Sequence, residues 1–333
     1  MEKEDYKMVN EIIEDYINYL YRYNYVFLEN ASFFHELTNN YEDFIVKSEP
    51  FKYKKMNATD SFKLVRQFYD YYYKEEKEEL ENLFNSGVFD IYYVDELIKE
   101  KIYLEPFEYT FSQGTINNNF YIRLPLFGNI RDVHLIIHEV RHQLNQPKEG
   151  RNIENDTLTE TLSMFDEILA YDYFKELLDD EVKINLKKRY FDNFSSIIPE
   201  VNFVTKLLII KTKLGEISLE HYNMLFDEIT EEELEDKLNK YLNVDSYKKI
   251  KTDFKNWYVL GLFLISFMHQ EYLKNPNYLE QVKELNKRVK NNEDVLSCLK
   301  VVNIDLSKQG IIEELRQSYK KEIEDIKDKK HVL

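Results

Sequence analysis

The segment His138-Glu139-Val140-Arg141-His142 sets two imidazoles one helical turn apart, with a carboxylate beside the first. Residues four apart on a helix share a face, so both rings can reach one ion at about 2.0–2.1 Å, the distance at which imidazole nitrogen binds Zn²⁺. Glu139 then points about 100° around the same helix, toward water on that ion. Zinc lowers the pKa of such a water to about 7, and a carboxylate within hydrogen-bond reach takes its proton as it attacks a carbonyl. The spacing points to one Zn²⁺ with His138 and His142 as ligands and Glu139 as the base of a hydrolase.

His134 extends the stripe by another turn, but about 12 Å of helix separates it from His142, too far to share an ion. Pairing His134 with His138 would leave Leu135 where the base belongs, so His134 is read as a core or supporting residue. A catalytic zinc takes three protein ligands and keeps one position open. Beyond Pro147 and Gly150, the amphipathic stretch 158–174 places Glu160, Ser163 or Met164, Glu167 and Tyr171 on one stripe. An acid on an inward stripe needs a partner, because an unpaired buried carboxylate is costly. Glu160 or Glu167 is therefore the candidate third ligand, the alternative being a solvated face.

These side chains need helices to hold them. Val133, Ile136, Ile137, Val140 and Leu144 make 132–144 a buried amphipathic helix. Helical periodicity also predicts 6–28, 60–86, 157–178, 201–225, 230–242, 256–273, 277–290 and 309–327. Strand alternation is confined to 102–126, where Phe107–Phe111 and Phe120–Leu124 flank a Gly/Asn-rich turn. Phe120–Leu124 is either a free edge that could pair with an extended substrate or part of a plain supporting hairpin. Thr230 with Glu231–Glu233 reads as a capped helix start without chemistry.

With these residues in view, the chain resembles the oligoendopeptidase F branch of the thimet-type zinc metallopeptidases. That family's His-Glu-x-Gly-His is followed by a Glu helix similar to Thr159-Glu160-Thr161-Leu162-Ser163-Met164-Phe165-Asp166-Glu167. Residues 60–70 through 83–92 look like its helical stretch ending in a short strand, 120–133 like the strand and loop entering its zinc helix, and 295–308 like its closing element. The likeness spans roughly 60–325, with 1–50 as an N-terminal helical extension. It implies a single, mainly α, zincin-like catalytic domain with a small β-sheet, acting on oligopeptides. It also implies Glu160 as the third ligand and puts Glu167 at a second acidic position that supports the site from behind. Full-length members carry a further N-terminal helical lobe, so the resemblance implies the catalytic lobe alone.

Departures from the family are specific. Arg141 stands where the family has Gly, a bulky cation where a neighbouring segment normally packs close. The family stabilises its oxyanion with a His and several Tyr in a segment similar to 253–263, where this chain has no His and carries Leu260 and Leu262 for two of the tyrosines. Tyr258 remains as the implied substrate-binding donor. Loss of one such donor typically costs about 10²–10³ in rate. His269, His221 or another tyrosine could substitute, or these histidines are structural. The alternative to a peptidase is therefore a zinc-binding, catalytically weak homologue that binds peptides or a protein partner.

Composition narrows the function classes. The 333 residues are 43% hydrophobic and 15% aromatic, enough for a large core. A net charge of −17 disfavours nucleic acid and anionic membranes as partners. Neither a run of about 18 apolar residues nor a signal-peptide core occurs, which leads us to expect a cytoplasmic protein. With 7 glycines and no nucleotide-binding glycine pattern, nucleotide-binding folds are disfavoured. The single cysteine, Cys298, lies in an apolar run and is read as a buried structural thiol.

Overall fold

The computed structural model describes residues 3–23, 25–94, 113–116, 119–146, 156–242 and 253–327. In chain order the first elements are α1 (Lys3–Tyr23), α2 (Tyr25–Glu29), α3 (Ala31–Thr38), α4 (Ala58–Tyr72) and α5 (Lys77–Asn85). Three strands follow, β1 (Phe89–Tyr93), β2 (Gln113–Ile116) and β3 (Asn119–Leu126), then α6 (Arg131–Leu144) and α7 (Asp156–Tyr173). The rest is helical: α8 (Asp180–Ser195), α9 (Ile198–Leu214), α10 (Leu219–Leu225), α11 (Glu231–Leu242), α12 (Asp253–Lys274), α13 (Tyr278–Lys290), α14 (Val295–Val301) and α15 (Ile311–Lys327). The fold is mainly α with a small sheet.

Most periodic stretches fold as the sequence predicts, with breaks where backbone chemistry demands them. The stretch 201–225 divides at Gly215, whose φ of +81° is left-handed and whose N–H donates to Lys211 O at 3.0 Å, ending α9. The stretch 60–86 divides between α4 and α5 at a 3-10 turn, Lys74–Glu76. Helix α8 is absent from the sequence reading, because Val182, Ile184 and Leu186 alternate with polar residues and imitate a strand. It packs through Leu186, Tyr190 and Phe191 instead.

The chain forms two compact units. The first comprises the described residues of Met1–Ser48, Pro147–Thr161 and Lys188–Leu333. Its core includes Leu262, Phe263 and Ile265 of α12 and Leu315 and Tyr319 of α15, and the Tyr319 hydroxyl donates to Phe44 O at 3.1 Å. Cys298 is buried, and burial pushes its thiol up to about 11. No helix among the described residues is long and apolar enough to cross a membrane.

The second unit comprises the described residues of Glu49–Gln146 and Leu162–Lys187 and contains the sheet, ordered β1-β3-β2. β1 runs parallel to β3, Phe89 opposite Ile122 and Tyr93 opposite Leu126, while β2 runs antiparallel to it, Gln113 opposite Ile122. Phe120–Leu124 thus lies in the middle strand, which removes the free-edge alternative and leaves the supporting one. Phe107–Phe111 lies outside the described residues. β1 falls outside the stretch that alternation singled out, at the place where the family resemblance implies a short strand.

Ile122, Leu124 and Leu126 alternate into the core, and the turn after them aims α6. Asp132 is fully buried and its carboxylate accepts N–H groups from Phe127 at 2.7 Å, Gly128 at 2.9 Å and Asn129 at 3.1 Å. Burial outweighs these donors and raises the Asp132 carboxyl above its ordinary pKa. Gly128 adopts φ +68°, a conformation that favours glycine. Removing the acceptor orphans several backbone donors at about 1–3 kcal/mol for a buried group. Asp132→Ala should lower unfolding stability by at least that amount in urea titrations, and an unchanged midpoint would show that the turn does not depend on Asp132.

Candidate metal centre

Helix α6 buries the five apolar positions its periodicity marks and also Asp132, His134, His138, Glu139, Arg141 and His142. His138 Nδ1 lies 2.6 Å from Glu167 Oε1 on α7. A carboxylate accepts, so Nδ1 carries the proton and the Nε2 lone pair is turned outward. His142 Nε2 lies 3.0 Å from His138 Nε2, and Glu139 Oε1 lies 3.7 Å from the same nitrogen. The ligand atoms of His138, Glu139 and His142 all fall within 4.8 Å of one another.

This donor set fits a divalent cation. Two nitrogens each about 2.0–2.1 Å from one tetrahedral ion sit roughly 3.3 Å apart, close to the observed approach. The two Nε2 atoms face one another beside a buried carboxylate.

Of the residues named from the sequence, His138, Glu139, His142 and Glu167 come together within the second unit. Glu160 lies two turns before Glu167 on the same face of α7, is buried, and belongs to the first unit. Tyr258 also belongs to the first unit, where it is half-buried with its ring stacked on Phe194, centroids 5.1 Å apart. Leu260 and Leu262 are core residues there. His269 is buried with Nδ1 2.6 Å from Glu322 Oε1, an oxygen that Gln270 Nε2 also reaches at 2.5 Å. His221 Nδ1 donates to Glu216 O at 2.6 Å.

The structure resolves the puzzle of Arg141. Its side chain is fully buried, with Nε donating to Asp166 Oδ2 at 2.7 Å and Nη1 to Glu76 Oε1 at 3.0 Å. The guanidinium carbon lies 4.1 Å from the Tyr73 ring centroid and 5.3 Å from that of Tyr69. Tyr73 donates its hydroxyl proton to Asp166 Oδ1 at 2.5 Å, and the Tyr69 hydroxyl sits 3.3 Å from Ile137 O and 3.4 Å from Asp166 Oδ2. Burial holds both phenols well above their ordinary pKa. The sequence reading missed this cluster. Its only signal was Asp166 beside Glu167, since tyrosines four apart mean little among 27.

No family model matches the sequence, and no curated protein does. Among solved structures, the chain is similar to a candidate peptidase from Chlamydophila abortus, with TM-score 0.56 and 16% identity over 98% of this chain and 56% of that one. It is also similar to a candidate oligoendopeptidase F from Bacillus anthracis str. Ames, with TM-score 0.50 and 16% identity over 92% of this chain and 57% of that one. The fold is oligoendopeptidase-like. The chain spans a little over half the length of either structure.

His134 is buried, its ring stacked on Tyr171 with centroids 4.2 Å apart and neither nitrogen in hydrogen-bonding geometry. The nearby Glu167 carbonyl favours protonation slightly, but burial dominates and lowers the pKa to about 4. Above pH 6.5 the ring is neutral folded or unfolded and contributes no pH dependence. As pH falls from 6.5 toward 4, the unfolded chain takes up a proton the folded chain refuses, so stability is lost, by roughly 3 kcal/mol in all. His134→Phe should remove that share of the acid sensitivity in denaturant titrations at pH 7 and pH 4. Parallel pH profiles would show that His134 does not titrate on unfolding.

Proposed function

We propose that this protein is a zinc metallopeptidase that hydrolyses peptide bonds in oligopeptides, as a single catalytic domain. The observation that carries the reading is the approach of His138 Nε2 and His142 Nε2 to 3.0 Å beside the Glu139 carboxylate, on a peptidase-like fold. His138 and His142 would hold the ion from α6. Glu160, buried on the face of α7 that also carries Glu167, is the proposed third ligand. Zinc, when bound, supplies a Lewis acid that polarises the scissile carbonyl and acidifies water. Glu139 accepts the proton of the attacking water and returns it to the leaving amine, one carboxylate acting as base and then as acid. Glu167 holds the His138 ring in one tautomer through Nδ1. Tyr258 is the proposed donor to the developing oxyanion.

A second reading, a zinc-binding homologue of low activity that binds peptides or a protein partner, is favoured by Leu260 and Leu262. They fill core positions where the resemblance implies tyrosines.

Elemental analysis and cleavage of a mixed peptide library separate the two. The peptidase should carry one zinc per chain, and Glu139→Gln should keep that zinc while lowering kcat by about 10²–10⁴. Zinc without cleavage by the wild type would select the second reading, and a chain that binds no metal would overturn both. In the same assay Glu160→Gln should lower zinc occupancy, and full occupancy in that variant would remove Glu160 from the ligand set.

A further inference from the structure

Two links join α6 to α7 in the second unit. His138 meets Glu167 at 2.6 Å, and Arg141 meets Asp166 at 2.7 Å. The partners are adjacent on α7 and three residues apart on α6, so the links are separated along α6 by about 4.5 Å. Two such links fix both the slide and the roll of one helix on the other. A one-turn slip of about 5.4 Å would carry Glu167 out of reach of His138.

The Arg141 link is built as an anchor. Its anion is held from the other side by Tyr73, and Tyr69 bridges toward the α6 backbone at Ile137. Stability alone does not account for it. Replacing a buried ion pair by apolar residues of similar volume is often neutral or stabilising. Here Arg141 Nη2 and Glu76 Oε2 are also buried without partners, at a cost of about 1–3 kcal/mol for each such atom. What a directional pair supplies that a greasy contact does not is register.

We propose that Arg141 is a positioning residue for the metal centre: its buried pairing with Asp166 sets the register of α6 on α7 that brings Glu167 to His138, and zinc affinity depends on it. Among the described residues the guanidinium bonds Asp166 and Glu76 and faces two tyrosine rings, none of them a proposed ligand. The proposal rests on the metal site argued above.

Two variants test it. Arg141→Lys keeps the buried charge and loses the fork, while the triple change Arg141→Met, Asp166→Leu and Tyr73→Phe replaces the Arg141–Asp166 pair and the Tyr73 hydroxyl with apolar groups. Zinc dissociation constants are measured by chelator competition well below the melting temperature, on protein shown by circular dichroism to be folded. In parallel, the metal-free protein is examined by NMR for the downfield His138 Nδ1 proton that a short bond to Glu167 produces. Both variants should bind zinc about 10–100-fold more weakly and lose that resonance. Folded variants with wild-type affinity and an intact resonance would overturn the proposal, because a merely structural role lowers the melting temperature and leaves both readouts unmoved. If the triple variant does not fold, Arg141→Lys decides. A wild type that binds no zinc would sink the metal reading, whereas the resonance would still report whether Arg141 positions Glu167.

Discussion

A helix that buries an arginine, three histidines and two carboxylates within fourteen residues can exist only if its surroundings answer each of them. Its five buried apolar side chains contribute roughly 2 kcal/mol each, on the order of 10 kcal/mol together. A single unpaired buried charge costs several kcal/mol, so hydrophobic burial could not carry more than a few such groups. Pairing is therefore the constraint on which this unit depends. The turn after β3 answers Asp132 with three backbone N–H groups, and α7 answers α6 with two consecutive carboxylates, Asp166 and Glu167.

How each group is answered follows from whether it can discard its charge. His134 can: burial alone lowers its pKa to about 4, and a neutral ring stacked on Tyr171 needs no counter-ion. Arg141 cannot, since guanidinium stays protonated in proteins, and it is met by two acids and two aromatic faces. His138 lies between these cases. Its ring is directed, with Nδ1 committed to Glu167 and Nε2 facing His142. Three treatments of imidazole and guanidinium on one helix thus produce a support, an anchor and a donor pair.

The approach of His138 to His142 was legible in the sequence because it is local. Four-residue spacing and the positions of Val133, Ile136, Ile137, Val140 and Leu144 specify both the helix and the shared face of His138 and His142. Glu160 and Glu167 were legible as a stripe on a second helix. The Arg141 cluster was not, because its members come from residues 69, 73, 76 and 166, and no periodicity relates an arginine to tyrosines some seventy residues away. The same reason explains Phe120–Leu124. Alternation marks a strand but not its neighbours, and the partner on one side, β1, is a segment whose own pattern is too short to read. Helix α8 was lost because the backbone hydrogen bonds of a helix can override an accidental period of two when tertiary packing favours it.

The departures from the family pattern fall unevenly on the site. Around α6 the replaced residue, Arg141, arrives with two acidic partners and two aromatic faces, so the change is embedded in the second unit's packing. On α12 the replaced positions are apolar and buried among Val259, Phe263 and Leu264. A tyrosine at 260 or 262 would bring a hydroxyl requiring a partner, whereas leucine requires none, so the first unit gains core where the resemblance implies donors. One missing oxyanion donor is worth about 2.7–4 kcal/mol of transition-state stabilisation, a deficit that the proposed metal ligands and Glu139 would not offset because they would act on other atoms. Under the proposed function, the chemistry would therefore turn less on whether α6 can hold an ion than on which hydrogen-bond donor faces the oxyanion.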